Sequence, residues 1–136
     1  MQLLKIYYAY FSPGNTTEKV VSHIASSFQN YPVESINLTD YATRQEDYYF
    51  KENELLIIGV PAYGGRVPAP VVDALRHFTG SNTPVVLVAT YGNRDIDDTL
   101  IELKKNVIDK GFIPVGAASF VCQHTFLKEC AEGRPD

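Results

Sequence analysis

The run Leu55-Leu56-Ile57-Ile58-Gly59-Val60, closed by Pro61, limits this chain to a narrow choice of folds. A strand with one wet face alternates apolar and polar residues. A run that is apolar at every position needs cover on both faces, and such strands lie at the centre of parallel sheets with helices on either side. The run is far short of the roughly 20 apolar residues that cross a bilayer.

The segments around it follow an alternating plan. Residues 3–11 are rich in β-branched and aromatic side chains and stop at Ser12-Pro13-Gly14, which reads as a strand and then a turn. From Thr17 the period changes. Val20, Val21, Ile24, Ala25 and Phe28 share one helical face, and Asn30 and Pro32 close it. Residues 33–38 read as a second strand, and the polar, tyrosine-bearing stretch 39–52 has room for a short helix. After the central run, Pro70 suits a first helical turn ahead of Val71, Leu75 and Phe78, with Gly80 as the stop. Residues 85–89 form a fourth strand. Ile96, Leu100, Leu103 and Val107 mark a helix that ends at Gly111, and residues 112–121 form a fifth strand.

Strand and helix thus alternate along 136 residues without repeats or linkers, and the expectation is one domain, 1–136, of α/β class. Right-handed crossovers give a doubly wound, five-stranded parallel sheet, for which the order 2-1-3-4-5 suits this length. Ligands of such sheets bind at the carboxyl ends of the strands, where the order reverses. That directs attention to the loops at Ser12, Pro61 and Thr90.

Composition narrows the function. A net charge of −4 and a pI near 5.3 exclude the clustered cations that nucleic acid requires. An acidic surface suits basic partner proteins. Cys122 and Cys130 are neither a CxxC pair nor half of a metal set, so no metal site is expected. The N-terminus runs straight into a strand pattern without signal-peptide features, and the expected location is the cytoplasm.

Ser12-Pro13-Gly14-Asn15-Thr16-Thr17 combines hydroxyls with residues that permit tight turns, and it opens onto a helix N-terminus. Free amides and the helix dipole there bind an anion without Lys or Arg. The plainer reading is a simple helix cap on Asn15 or Thr16. Pro61-Ala62-Tyr63-Gly64-Gly65 follows the central strand and offers an aromatic face and exposed backbone to a flat ring. Thr90-Tyr91-Gly92-Asn93 adds another aromatic and more amides, while the role of Arg94 stays open. Asp95, Asp97 and Asp98 read as charges that complement a helix start. His23 and His77 read as solvated helix positions, and His124 as turn chemistry. No nucleophile, base and orienting acid converge, so no catalytic side chains are assigned.

The first loop resembles the phosphate loop of flavodoxins, usually Ser/Thr-x-Thr-Gly-x-Thr. Ser12 and Thr17 match its ends, while Gly14 and Asn15 replace the central Thr-Gly. The loops PAYGGRVPAP and TYGNRDIDD, with Gly133-Arg134-Pro135-Asp136, are similar to the flavodoxin-like half of anaerobe proteins that fuse this domain to a two-cluster ferredoxin. The resemblance implies flavin mononucleotide (FMN) as cofactor, its phosphate on Ser12 to Thr17, and its ring between the Pro61 and Thr90 loops. It also implies electron transfer to a redox partner such as a ferredoxin-type iron–sulfur module. The alternatives are an NAD(P)H-dependent FMN or quinone reductase, and a cofactor-free interaction module.

A fifth helix normally closes such a sheet. Leu127 and Ala131 allow a turn or two before Gly133 and Pro135, so that helix is expected to be missing or truncated. The sheet face beside the first helix would then be covered by a further segment of a longer protein, or by another subunit in a homodimer.

Overall fold

The computed structural model describes residues 2–92 and 97–121. Five long strands make one parallel sheet: β1 (Lys5–Tyr10), β2 (Val33–Asn37), β4 (Glu54–Pro61), β6 (Thr83–Tyr91) and β7 (Phe112–Val121), in the order β2-β1-β4-β6-β7. Counting only the long strands, this is the 2-1-3-4-5 order expected from the sequence. The helices are α1 (Thr16–Ser26), α2 (Tyr41–Arg44), α3 (Ala69–Leu75) and α4 (Asp97–Asp109). Among the described residues, no helix is long and apolar enough to cross a membrane.

The central strand behaves as its composition requires. Leu56, Ile58 and Val60 point into the larger core, with Val71 and Leu75 of α3 and Leu103 and Val107 of α4. Leu55 and Ile57 point the other way and pack with Val20, Val21 and Ala25 of α1. Each large aliphatic side chain so buried contributes about 1.5–3 kcal/mol. Gly59 continues the α1 face: a Cβ there would collide with Val21 Cγ2 and crowd Thr17 Cγ2. This close approach brings the first turns of α1 down onto β4.

Two short strands differ from the sequence reading. β3 (Tyr48–Tyr49) and β5 (Phe78–Thr79) form a separate two-stranded parallel sheet. Phe78 stands at helical spacing from Leu75, yet α3 ends at Leu75 and Phe78 is extended. Its ring is buried against Tyr48 and Phe50, with centroids 5.2 and 5.4 Å away. Burial of an aromatic cluster overrides local periodicity here. Between β6 and β7 the register shifts: the consecutive Val85 and Val86 of β6 pair with Pro114 and Gly116, so Val115 bulges out of β7, an edge strand where Pro is tolerated. The expectations for residues 122–136, including the shortened fifth helix, Cys122, His124 and Cys130, fall outside the described residues, as do those for Arg94 and Asp95.

Candidate functional site

The carboxyl ends of β1, β4 and β6 frame a cleft of about 240 Å³. The first loop contributes Ser12, Pro13, Gly14, Thr16 and Thr17 to its lining, the second Pro61, Ala62 and Tyr63, and the third Thr90, Tyr91 and Gly92. The three sequence-designated loops therefore meet. Asn15, Gly64 and Gly65 belong to the same loops but not to the lining, and Asn93 lies outside the described residues.

The first loop is not a simple cap. Asn15 occupies the N-cap position of α1 with a left-handed φ of 68°, and its side chain makes no capping bond. The hydroxyl of buried Ser12 does that work from six residues upstream, accepting from the Glu18 amide at 2.9 Å. The Ser12 amide itself donates to Thr39 Oγ1 at 2.7 Å, and the Asn15 amide to the Ser12 carbonyl at 3.0 Å. Among the described residues, this leaves the amides of Gly14, Thr16 and Thr17 without a hydrogen-bond partner. Three amides at a helix N-terminus, with the Thr16 hydroxyl beside them, match the three oxygens of a phosphate monoester. A phosphorylated ligand fits the donors present.

Thr17 is also buried, and its hydroxyl lies 2.8 Å from the hydroxyl of buried Thr90 at the end of β6. Thr90 joins all three loops, because its carbonyl accepts from the Ala62 amide at 2.8 Å.

The second loop is a tight hairpin. Gly64 and Gly65 have φ of 59° and 79°, and the Tyr63 and Arg66 backbones exchange two hydrogen bonds of 3.0 Å. Two successive positive φ values define a type I′ turn, which glycines adopt without steric cost. The pair reads from sequence as backbone offered to a ring, whereas in the structure it forms the tip that turns Tyr63 toward the cleft. Tyr63 is 52% exposed and meets the buried Phe11 edge-on at 6.5 Å. Tyr91 is half-buried across the cleft. The cleft is thus polar and amide-lined at the start of α1 and aromatic at Tyr63 and Tyr91.

Sequence reasoning passed over several residues that organise this site. Thr39 and Arg44 lie in the segment after β2. The Arg44 guanidinium donates to the Leu38 and Thr39 carbonyls at 2.9 and 3.1 Å and sits 6.0 Å from the Phe11 ring centroid. Asp40 caps α2 by accepting from the Thr43 amide and hydroxyl, contacts that lower its pKa. With β2 beside β1 in the sheet, the loop after β2 must lie next to the loop after β1, and the strand order alone could have drawn attention to it. Glu102 of α4 is the other omission. Its carboxylate accepts from Arg66 Nε at 2.9 Å, Arg66 Nη2 at 3.2 Å and the Val67 amide at 3.0 Å. The Arg66 hydrogen bonds, followed by the Val67 amide, hold the Glu102 carboxyl below its ordinary range. His23 is exposed on α1, as read from sequence. His77 lies beyond the end of α3 and pairs with Asp47 at 2.8 Å, away from the cleft lining.

No protein-family model matches the sequence, and no curated protein matches it in sequence. Solved structures do match in fold. A flavodoxin from the domain Archaea superposes with a TM-score of 0.64 at 15% identity, covering 96% of this chain and 93% of that one. The two-electron reduced flavodoxin of Megasphaera elsdenii gives 0.64 at 20% identity, covering 94% and 96%. The flavodiiron core of Flv1 from Synechocystis sp. PCC6803 gives 0.61 at 19% identity, with 97% of this chain matching 34% of that longer one. The fold is flavodoxin-like.

Proposed function

We propose that this chain binds FMN in the cleft and serves as an electron-transfer domain. The observation that carries the reading is the set of unpaired amides of Gly14, Thr16 and Thr17 at one end of a cleft whose other end is framed by Tyr63 and Tyr91. Gly14 to Thr17 would take the phosphate, and the ring would lie between the Pro61 and Thr90 loops. When bound, FMN supplies one- and two-electron chemistry. The protein's own part is to bind the phosphate through fixed amides, to orient the ring against aromatic faces, and to keep water from one side of it. At about 240 Å³ the cleft is smaller than sites that enclose a whole ligand, commonly about 300–1,000 Å³. A ring edge left open at the mouth suits exchange of electrons with a separate redox protein, and a ferredoxin-type module is the partner that the sequence resemblance implies.

Titration of the apoprotein with FMN and with riboflavin tests the assignment. FMN is expected to bind with quenched fluorescence and much more tightly than riboflavin. Thr16→Val keeps the amides in place but removes the hydroxyl beside them, and should weaken FMN about 10- to 150-fold, as loss of one hydrogen bond to a charged group does, with little effect on riboflavin. Absence of binding would overturn the reading. Rapid NADPH oxidation by the loaded protein without a partner would replace the carrier with a reductase.

A further inference from the structure

We propose that Glu102 is a positioning residue that holds the Tyr63–Arg66 hairpin, one wall of the slot between the second and third loops, against α4, and so sets the seating of a flat ring on Tyr63; this rests on the flavin reading above. The slot has two walls. One is the hairpin from Tyr63 to Arg66, and the other is the end of β6 with Tyr91 and Gly92. At its base the walls are joined by the hydrogen bond from the Ala62 amide to the Thr90 carbonyl, 2.8 Å long. Beyond the base, the hairpin wall is tied to α4 by Glu102, which accepts from Arg66 and Val67.

The geometry sets this contact apart from an ordinary surface ion pair, most of which add little. Both carboxylate oxygens engage the two-pronged guanidinium, and Oε1 also accepts from a backbone amide. The backbone bond matters most, because it fixes the chain itself. Arg66 and Tyr63 exchange two backbone bonds, and the turn between them is tight, so fixing Arg66 and Val67 fixes Tyr63. The Arg66 side chain is 70% exposed while that of Glu102 is 25% exposed, so the carboxylate is the enclosed partner around which the hairpin is arranged.

The test uses the FMN-loaded protein and the variants Glu102→Ala, Glu102→Gln, Arg66→Ala and the double variant Arg66→Ala/Glu102→Ala. Glu102→Ala should shift both flavin midpoint potentials and the visible circular dichroism of the ring, and weaken FMN and riboflavin equally, by about tenfold. Equal loss is expected because the phosphate amides are untouched. Arg66→Ala should have a smaller effect, since the Val67 bond survives, and should add nothing to Glu102→Ala in the double variant. Glu102→Gln preserves volume and an acceptor for Val67 and should recover most of the wild-type potentials and dichroism; where the alanine variant folds poorly, the intermediate shift of Arg66→Ala keeps the test decisive. Unchanged potentials, dichroism and affinities in Glu102→Ala and Arg66→Ala, alongside a lower Tm, would overturn the inference and leave Glu102 a stabilising residue only. Failure of the wild-type protein to bind flavin would instead overturn the underlying reading, and this inference with it.

Discussion

Tyr10 ends β1 directly ahead of the first loop, with its hydroxyl 3.3 Å from the Glu18 carboxylate. Burial, and then the Glu18 charge, push its pKa up to about 12. The neutral phenol is therefore favoured in the folded protein over the unfolded chain. Its contribution to stability is complete below the ordinary tyrosine value of about 10 and is lost as the pH rises through about 12. Alkaline titration followed by tyrosinate absorbance should show a tyrosine ionising late, and Tyr10→Phe should flatten the fall in stability between those values. Gly59 offers a steric counterpart. Gly59→Ala drives a methyl group into Val21 and should cost about 1–3 kcal/mol by overpacking. Denaturant unfolding measures that loss, and FMN affinity should fall with it because α1 must retreat. The amides that carry the site were legible in the sequence as a Gly-Asn turn before a helix. Thr39 and Glu102 were not, because their partners stand 27 and 36 residues away and only the folded sheet brings them together.

At the level of elements, the five long strands could be read, β4 from an apolar run whose two faces both need cover and the others from apolar and β-branched residues bounded by turns. β3 and β5 could not, since two residues carry no period, and they exist only because Tyr48, Phe50 and Phe78 cluster. The segment from Leu38 to Arg44 lacks a strong pattern for the same reason, yet it supports the first loop from the side. Arg44 holds the Thr39 carbonyl, and Thr39 holds the Ser12 amide. Thr39→Val removes the second link while keeping the shape of the side chain. A net hydrogen bond is worth about 0.5–1.5 kcal/mol, so FMN should bind about 2- to 12-fold more weakly while riboflavin changes less. Calorimetric titration of both ligands measures the difference.

For the whole molecule, ligand and stability are linked. FMN that binds only the folded state should raise the unfolding free energy by about 2.7 kcal/mol at a hundredfold excess over Kd, which urea unfolding at graded FMN concentrations would measure. The topology adds a restriction in time. β1 pairs with β4 in a register that matches Lys5 with Glu54 and Tyr10 with Gly59, and β4 in turn pairs with β6. Each pairing crosses a helix, so the cleft comes into being only after distant stretches of chain have found one another, and parallel, non-local pairing of this kind is slow. An emerging or half-folded chain has nothing for the nucleotide to recognise. Cofactor loading is then a final event: added FMN should slow unfolding while leaving the rate of refolding almost unchanged, and stopped-flow measurements of both rates would detect that asymmetry.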